Sequence, residues 1–399
     1  MKRILSIIFA CTLLSGLTAC DRFSFKQFDS TIKVGLICLH DENSTYDLNF
    51  IEGMKEAQKS LGLSDNQVII KTNVPESNEC YLVAANLAKQ GCDIVFANSF
   101  GHEAYMAQAA KDFKNVQFCH ASGTMAHTKK MDNFHDAFAS IYEGRYLAGV
   151  AAGIKLNEMI DNGKITADEA VIGYVGAYTY AEVISGYTAF FLGARSICPS
   201  ATMKVQFTGS WYDETAENNA AFSLINQNCV LISQHADSVG APTACENAGV
   251  PNVSYNGSTQ DICPNTFLIS SSINWAPYYE YAIKAVEAKK PIDCDWTGNL
   301  TTASIVLSDV NKNAPQTTQD TLNHTAEELK NGNIHVFDTS KFTVGGLTIT
   351  SYLADVDTDE ANTPDTEVIQ DGYFHESEFR SAPYFDLRID GIETLNEKF

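Results

Sequence analysis

The sequence predicts an α/β protein of two doubly wound parallel-sheet lobes with a hinge. Three observations carry that reading. Short β-branched runs alternate with helical stretches, the pattern of parallel strands covered on both faces. The alternation breaks near residues 136–142 and starts again, so it describes two lobes. Finally, 399 residues with 45% apolar and 19% charged side chains are globular in composition, yet exceed the ~250–300 residues one core can serve.

In the first run, residues 32–39, 67–73, 93–97 and 116–120 read as strands. Residues 46–61, 77–90 and 102–113 read as helices, the second ending at Gly91. The second run opens with a helix at 143–155, whose Gly149, Ala151, Ala152 and Gly153 suit close packing. Strands follow at 171–175, 203–207, 230–233, 252–255 and 267–271. Helices follow at 182–195, 214–226, 241–248 and 276–289. The expected organisation is an N-terminal lobe at 32–140, rejoined by part of 267–300, and a C-terminal lobe at 141–266. An acidic tail at 300–399 is expected to return across both lobes as short strands and turns.

The first residues have a different character. Met1-Lys2-Arg3 precede an apolar stretch at 4–17 and then Thr18-Ala19-Cys20. A basic start, a short apolar run and a small-residue cleavage site describe a signal peptide at 1–19. The run is short for a spanning helix, which needs ~20 apolar residues. Leu17-Thr18-Ala19-Cys20 resembles the bacterial lipobox. That resemblance implies acylation at Cys20 and a lipidated tether at 20–31. Of 11 cysteines, Cys11 and Cys20 belong to this region. Cys38, Cys92, Cys119 and Cys229 lie in or beside apolar runs and read as buried thiols. Cys198, Cys245, Cys263 and Cys294 lie nearer loops and could pair. No CxxC occurs, which argues against a zinc ribbon or thioredoxin-type centre.

Lys and Arg number 27 against 49 Asp and Glu, a formal charge of −22. That argues against nucleic acid as a partner and against docking of the folded body on an anionic membrane. Open parallel sheets bind ligands beyond the carboxyl ends of their strands. The segments there are residues 40–47, Asn98-Ser99-Phe100-Gly101, His120-Ala121-Ser122-Gly123, Gly176-Ala177-Tyr178, Gly209-Ser210-Trp211-Tyr212, Gln234-His235-Ala236-Asp237, Asn256-Gly257-Ser258 and Asn274-Trp275. Rings and acids gathered in this way suit a flat, polar, nitrogen-rich molecule. The rings stack on its faces, and carboxylates accept from its N–H edge.

At these loops the chain resembles the basic membrane protein (BMP) family. The resemblance rests on an ordered set of short motifs. They include Val34-Gly35-Leu36-Ile37, Asn98-Ser99-Phe100-Gly101, His120-Ala121-Ser122-Gly123 and Tyr142-Glu143-Gly144-Arg145-Tyr146-Leu147-Ala148-Gly149. Further along come Ile172-Gly173-Tyr174-Val175-Gly176, Gly209-Ser210-Trp211-Tyr212-Asp213, Gln234-His235-Ala236-Asp237-Ser238 and Asn274-Trp275-Ala276-Pro277-Tyr278-Tyr279. It covers roughly residues 32–300. It implies the type I periplasmic-binding-protein fold and a lipid-anchored, extracytoplasmic substrate-binding protein of an ABC transporter. The ligand implied is a purine base or nucleoside. The partners implied are an ABC permease and, through the anchor, a bacterial membrane, with the protein a monomer in the periplasm or at the cell surface. The nucleoside-binding branch has a Lys soon after the late strand; Asn274 stands near that point here and no Lys does. The Gln-His-x-Asp-Ser and Asn-Trp-Ala-Pro-Tyr-Tyr motifs look like the branch that binds a free base.

The resemblance and the loop positions together nominate Tyr46, Asp47, Phe100, Gly101 and Tyr178 as ligand-binding residues. Trp211, Asp237, Asn256 and Trp275 complete the set. Arg145, in a helix beside Glu143, reads as structural, in a salt bridge at the lobe junction. No catalytic residue, metal or other cofactor is expected. Two alternatives stand beside this reading. A zinc-binding receptor would draw on His40, His102, His120 and His235. A surface enzyme resembling nucleoside hydrolases would use an acidic cluster after the first strand, where only Asp41 and Glu42 occur. There is no GxSxG, Walker loop or GxGxxG.

Overall fold

The computed structural model describes residues 31–357 and 365–397. The expected signal peptide, Cys20 and all but the last residue of the tether lie outside them.

The first lobe alternates strictly: β1 (Val34–Ile37), α1 (Thr45–Leu61), β2 (Val68–Lys71), α2 (Asn78–Lys89), β3 (Ile94–Ala97), α3 (Glu103–Asp112), β4 (Gln117–Ala121), α4 (Ala126–Lys129) and β5 (Phe134–Ala139). Local chemistry sets the ends of α1. The Ser44 side chain accepts from the Asp47 N–H at its start, and Gly62 closes it in the left-handed conformation. The strand β5 falls where the sequence pattern suggested only a break. Its centre carries His135 and Asp136, which mask its apolar run.

The helix α5 (Ile141–Asp161) leads into the second lobe: β6 (Val171–Gly176), α6 (Ala181–Ile197), β7 (Thr202–Phe207), α7 (Glu214–Asn226), β8 (Leu231–His235), α8 (Gly240–Ala248), β9 (Asn252–Tyr255) and β10 (Phe267–Ile273). The small residues of α5 let it lie close against α6. A Cβ at Gly149 would come within 1.9 Å of the Phe190 carbonyl oxygen. The chain then crosses back through α9 (Ala276–Glu287) to β11 (Asp295–Gly298), and returns to the second lobe at β12 (Ile305–Leu307).

The two sheets repeat one topology. The first runs β11-β5-β4-β3-β1-β2, and every pair is parallel. The second has β12-β10-β9-β8-β6-β7, with β12 antiparallel to β10, and gains β17 (Ile392–Thr394) beside β7. In each sheet the strand order reverses at the first strand of the lobe, between β1 and β3 and between β6 and β8. Such switch points leave a crevice at the carboxyl ends of the strands.

The tail does more than return across the surface. It forms α10 (Thr318–Lys330) and two short hairpins, β13 (Leu353–Ala354) with β14 (Thr366–Glu367) and β15 (Ile369–Gln370) with β16 (Tyr373–Phe374), before β17. Its Phe337, Phe374, Tyr384 and Phe385 are buried in the same core as Tyr174, Tyr187 and Phe190. Phe337 and Phe385 stack at 4.3 Å. Acidic composition therefore concealed an apolar strap that completes the second lobe.

The expected salt bridge of Arg145 is not made. Residues two apart on a helix point to different sides. The Glu143 carboxylate instead accepts from the Leu300 N–H at 2.8 Å. Arg145 is fully buried under the second sheet and donates to Ser233 Oγ, the Tyr174 hydroxyl, Ser271 Oγ and two carbonyls. All nine described cysteines are free thiols, including Cys198, Cys245, Cys263 and Cys294. Among the described residues, no helix is long and apolar enough to cross a membrane.

Candidate functional site

The switch points of the two sheets face each other across a narrow cavity of about 20 Å³. The first lobe contributes Leu39 and His40 after β1, Tyr46 and Asp47 from the first turn of α1, Ser99 and Phe100 after β3, and Ser122 after β4. The second contributes Glu182 from the first turn of α6, Trp211 after β7, His235 and Asp237 at and beyond the end of β8, and Tyr255 at the end of β9. Five of the nominated residues thus line one cavity: Tyr46, Asp47, Phe100, Trp211 and Asp237.

The first wall is firmly braced. Asp47 is buried, and its Oδ1 accepts from the Asn98 side-chain amide at 2.7 Å and the His40 N–H at 3.1 Å. The Tyr46 hydroxyl donates to the Asn98 carbonyl at 2.7 Å. Gly101 does not line the cavity. Its N–H donates to Glu76 Oε1, which also accepts from Ser99 Oγ, and this fixes the turn that presents Phe100. The Phe100 side of that turn is open: the residue is 45% exposed, and its ring meets Tyr180 of the other lobe at 5.8 Å.

The second wall is aromatic and acidic. Tyr178 stacks on Tyr180 at 5.0 Å and meets Trp211 edge-on at 5.2 Å, so it backs the wall from behind. Asn256 likewise stands one step back. Its amide donates to Asp237 Oδ1 at 3.3 Å, and its own Oδ1 accepts from Asn49 of the first lobe. The Asp237 carboxyl is held well above its usual range, by burial first and then by Asp47, Glu217 and Glu182. Burial and the same neighbourhood of acids push up the hydroxyls of Tyr46 and Tyr255. Burial lowers His235, so its ring is neutral despite Glu182 at 3.5 Å. Among the described residues, the Tyr255 hydroxyl and His235 Nδ1 have no hydrogen-bond partner, and His235 Nε2 has only the long contact to Glu182. Among the described residues, no Lys or Arg lines the cavity.

Trp275 lies elsewhere. It is 1% exposed, stacks on Phe50 at 4.3 Å and meets Phe138 edge-on. The loop position suggested the cleft, but the residue immediately precedes α9, which packs back on α1 and carries the indole into the first core. Asn274 caps the same helix through the Ala276 N–H. The sequence reading missed Glu182 and Tyr255. Both were within reach: Glu182 is the acid in the first turn after β6, and Tyr255 ends β9. Of the four histidines of the zinc alternative, His40 and His235 face the cavity, while His102 bonds the Val74 carbonyl.

The lobes touch across the cleft. The Thr45 N–H and hydroxyl both donate to the Asp237 carbonyl at 3.1 Å, and His40 packs on Tyr212. Two doubly wound lobes of this order, joined by crossing strands over a shared crevice, define the type I periplasmic-binding-protein fold. An ABC transporter solute-binding protein of Conexibacter woesei shares that fold, with a TM-score of 0.63 over 76% of this chain and 98% of its own, at 18% identity. The chain belongs to the Bmp family, described as ABC transporter substrate-binding protein PnrA-like, which matches residues 36–340. A purine-binding protein of Brucella abortus is 31% identical over 261 residues, 65% of this chain and 69% of that protein. A Haloferax volcanii protein, named provisionally as the glucose-binding protein of an ABC transporter, is 31% identical over 256 residues, 64% of this chain. The match spans 61% of the Haloferax protein's length.

Proposed function

We propose that the chain is the extracytoplasmic receptor of an ABC transporter, and that it captures a purine base between its lobes and presents the closed form to the permease. The observation that carries this reading is the make-up of the cleft. Three carboxylates, Asp47, Glu182 and Asp237, face rings from both lobes, and among the described residues no Lys or Arg opposes them. Such a wall accepts from ring and exocyclic N–H groups and repels phosphate, which favours a base over a nucleotide. The Brucella relative's name adds weight to a purine. Binding without chemistry, a monomeric receptor and a lipid anchor at Cys20 belong to the same proposal.

The experiment is a thermal-shift and calorimetry panel of adenine, hypoxanthine, guanine, their nucleosides and glucose. A ligand that binds only the folded state raises its midpoint by mass action. Purines are expected to do so. A shift with glucose and none with any purine or nucleoside overturns the ligand, because a carboxylate and aromatic cleft also suits sugar hydroxyls. Turnover of a nucleoside overturns the receptor. A Cys20→Ala chain that still partitions with membranes as mature lipoprotein overturns the anchor.

A further inference from the structure

Behind the first wall of the cleft, three side chains converge away from solvent. Glu103 comes from the first turn of α3, His120 from β4 and Asp136 from β5. One ligating atom from each lies within 4.8 Å of the others, and His120 Nδ1 stands 3.9 Å from Asp136 Oδ1. All three residues are buried, His120 completely.

The chemistry of the cluster is one-sided. His120 Nε2 lies 2.6 Å from the Ser99 carbonyl, which can only accept. That nitrogen therefore carries the hydrogen, and Nδ1 presents a bare lone pair. Neither His120 Nδ1 nor Asp136 Oδ1 has a hydrogen-bond partner. Backbone amides orient the carboxylates: Thr124 and Met125 donate to Glu103 Oε1, and Ala126 donates to Asp136 Oδ2. The backbone at Gly123 leaves the meeting point open. A Cβ there would come within 2.2 Å of Asp136 Oδ1 and 2.6 Å of both Glu103 Oε1 and His120 Nδ1. Arg380, the cation that acts on Glu103, spends its guanidinium on the carbonyls of Ala382, Pro383 and Asp355. Glu103 and Asp136 lie close enough to hydrogen-bond, so either a shared proton or a cation must sit between these buried acids, and a cation also satisfies the bare His120 Nδ1.

We propose that Glu103, His120 and Asp136 bind a divalent first-row metal ion, with Zn²⁺ the best match to one imidazole and two carboxylates. A ligand oriented by a backbone carbonyl on its far nitrogen is the usual outer arrangement of a metal-bound His. Zinc–ligand bonds of ~2.0–2.2 Å place tetrahedral neighbours roughly 3.4 Å apart, so binding draws the side chains together by about an ångström. The ion ties β4 and β5 to the start of α3, whose Glu103 in turn holds the Thr124 and Met125 amides. Because Ser99 and Ser122 line the ligand cavity, it also stiffens the floor of the cleft. It does not touch the ligand, so its test is independent of which molecule the cleft takes.

The test uses the full chain, dialysed into metal-free buffer and analysed for metal by mass spectrometry. About one zinc per chain is expected, and its removal by a chelator should lower the thermal midpoint, with Zn²⁺ alone restoring it. Glu103→Gln keeps an acceptor for the Thr124 and Met125 amides but loses the charge. It and His120→Ala should bind zinc at least about tenfold more weakly, while His324→Ala at an exposed site should not. Co²⁺ in the wild-type chain should give visible bands without thiolate charge transfer, a reading that needs no variant to fold. The proposal is overturned by a chain that retains no zinc and whose midpoint neither Zn²⁺ nor Mn²⁺ moves, which leaves a shared proton as occupant. Thiolate charge-transfer bands overturn it equally, because the ion then sits on cysteine.

Discussion

The two walls of the cleft are built from the same ends of the same strands, yet they are finished differently. On the first, Asp47 receives two hydrogen bonds, Tyr46 is anchored and Glu76 fixes the turn carrying Phe100. On the second, Asp237 receives one long bond from Asn256, the Tyr255 hydroxyl has no partner among the described residues, and the His235 ring has only Glu182 at 3.5 Å. One wall is complete without ligand; the other holds polar groups that only a third party can satisfy. Closure needs contacts that differ between the open and closed states, and unpaired groups on one wall supply them.

The two interior tryptophans test where the cleft ends. Trp275→Ala empties the first core between Phe50 and Phe138 and should cost about 3–5 kcal/mol of stability in urea melts, with ligand affinity unchanged for the folded fraction. Trp211→Ala should do the reverse, holding stability and losing about 1–3 kcal/mol of binding by calorimetry. A Trp275→Ala chain that is stable but does not bind would move the boundary of the cleft.

The two aspartates test the contrast itself. Asp47→Ala strips the acceptor from the Asn98 amide and the His40 N–H, so it should lower stability by about 1–3 kcal/mol as well as weaken binding. Asp237→Asn should weaken binding by about ten- to a hundredfold and leave the ligand-free protein as stable or more so, since a costly buried acid is neutralised. If Asp237→Asn destabilises the free protein as much as Asp47→Ala does, the walls are equally complete and the comparison fails.

How much of this the sequence could say follows from where each signal resides. Strand ends and turn residues are local, so the loops at both switch points could be read directly, and five nominated side chains meet there. Trp275 could not be placed, because its direction is set by how α9 packs on α1, a long-range fact. Strand β5 escaped because His135 and Asp136 interrupt its apolar run. The tail escaped because its charges outnumber the few rings, Phe337, Phe374 and Phe385, that bury it. Glu182 lies four residues past Tyr178, and only the start of α6 brings it to the cavity.

The smallest expected effect is a pH dependence with opposite signs for folding and for binding. Burial raises Glu217, which accepts from the Ser238 N–H beside Asp237, to about 7. It also raises Glu376, beneath the tail, to about 8. An acid raised in the folded state holds a proton that the unfolded chain has already lost. Its contribution is complete below the unfolded value near 4.5 and disappears as pH rises through 7–8. His127, raised to about 10 by Asp295, acts in the same direction above its unfolded value of 6.5. His235, lowered by burial, is neutral in both states there and adds nothing. The midpoint of the ligand-free protein should therefore fall between pH 6.5 and 8.5, and Glu376→Gln should flatten the slope. Binding should run the other way. A ligand that donates to Asp237 favours its ionised form, the stronger acceptor, and that acid is raised by burial and by Asp47. Binding should thus release a proton and tighten with rising pH, as calorimetry in two buffers of different ionisation enthalpy would read. Asp237→Asn should abolish the release. Proton uptake on binding, or a release that survives Asp237→Asn, would mean the ligand meets the second wall through another group.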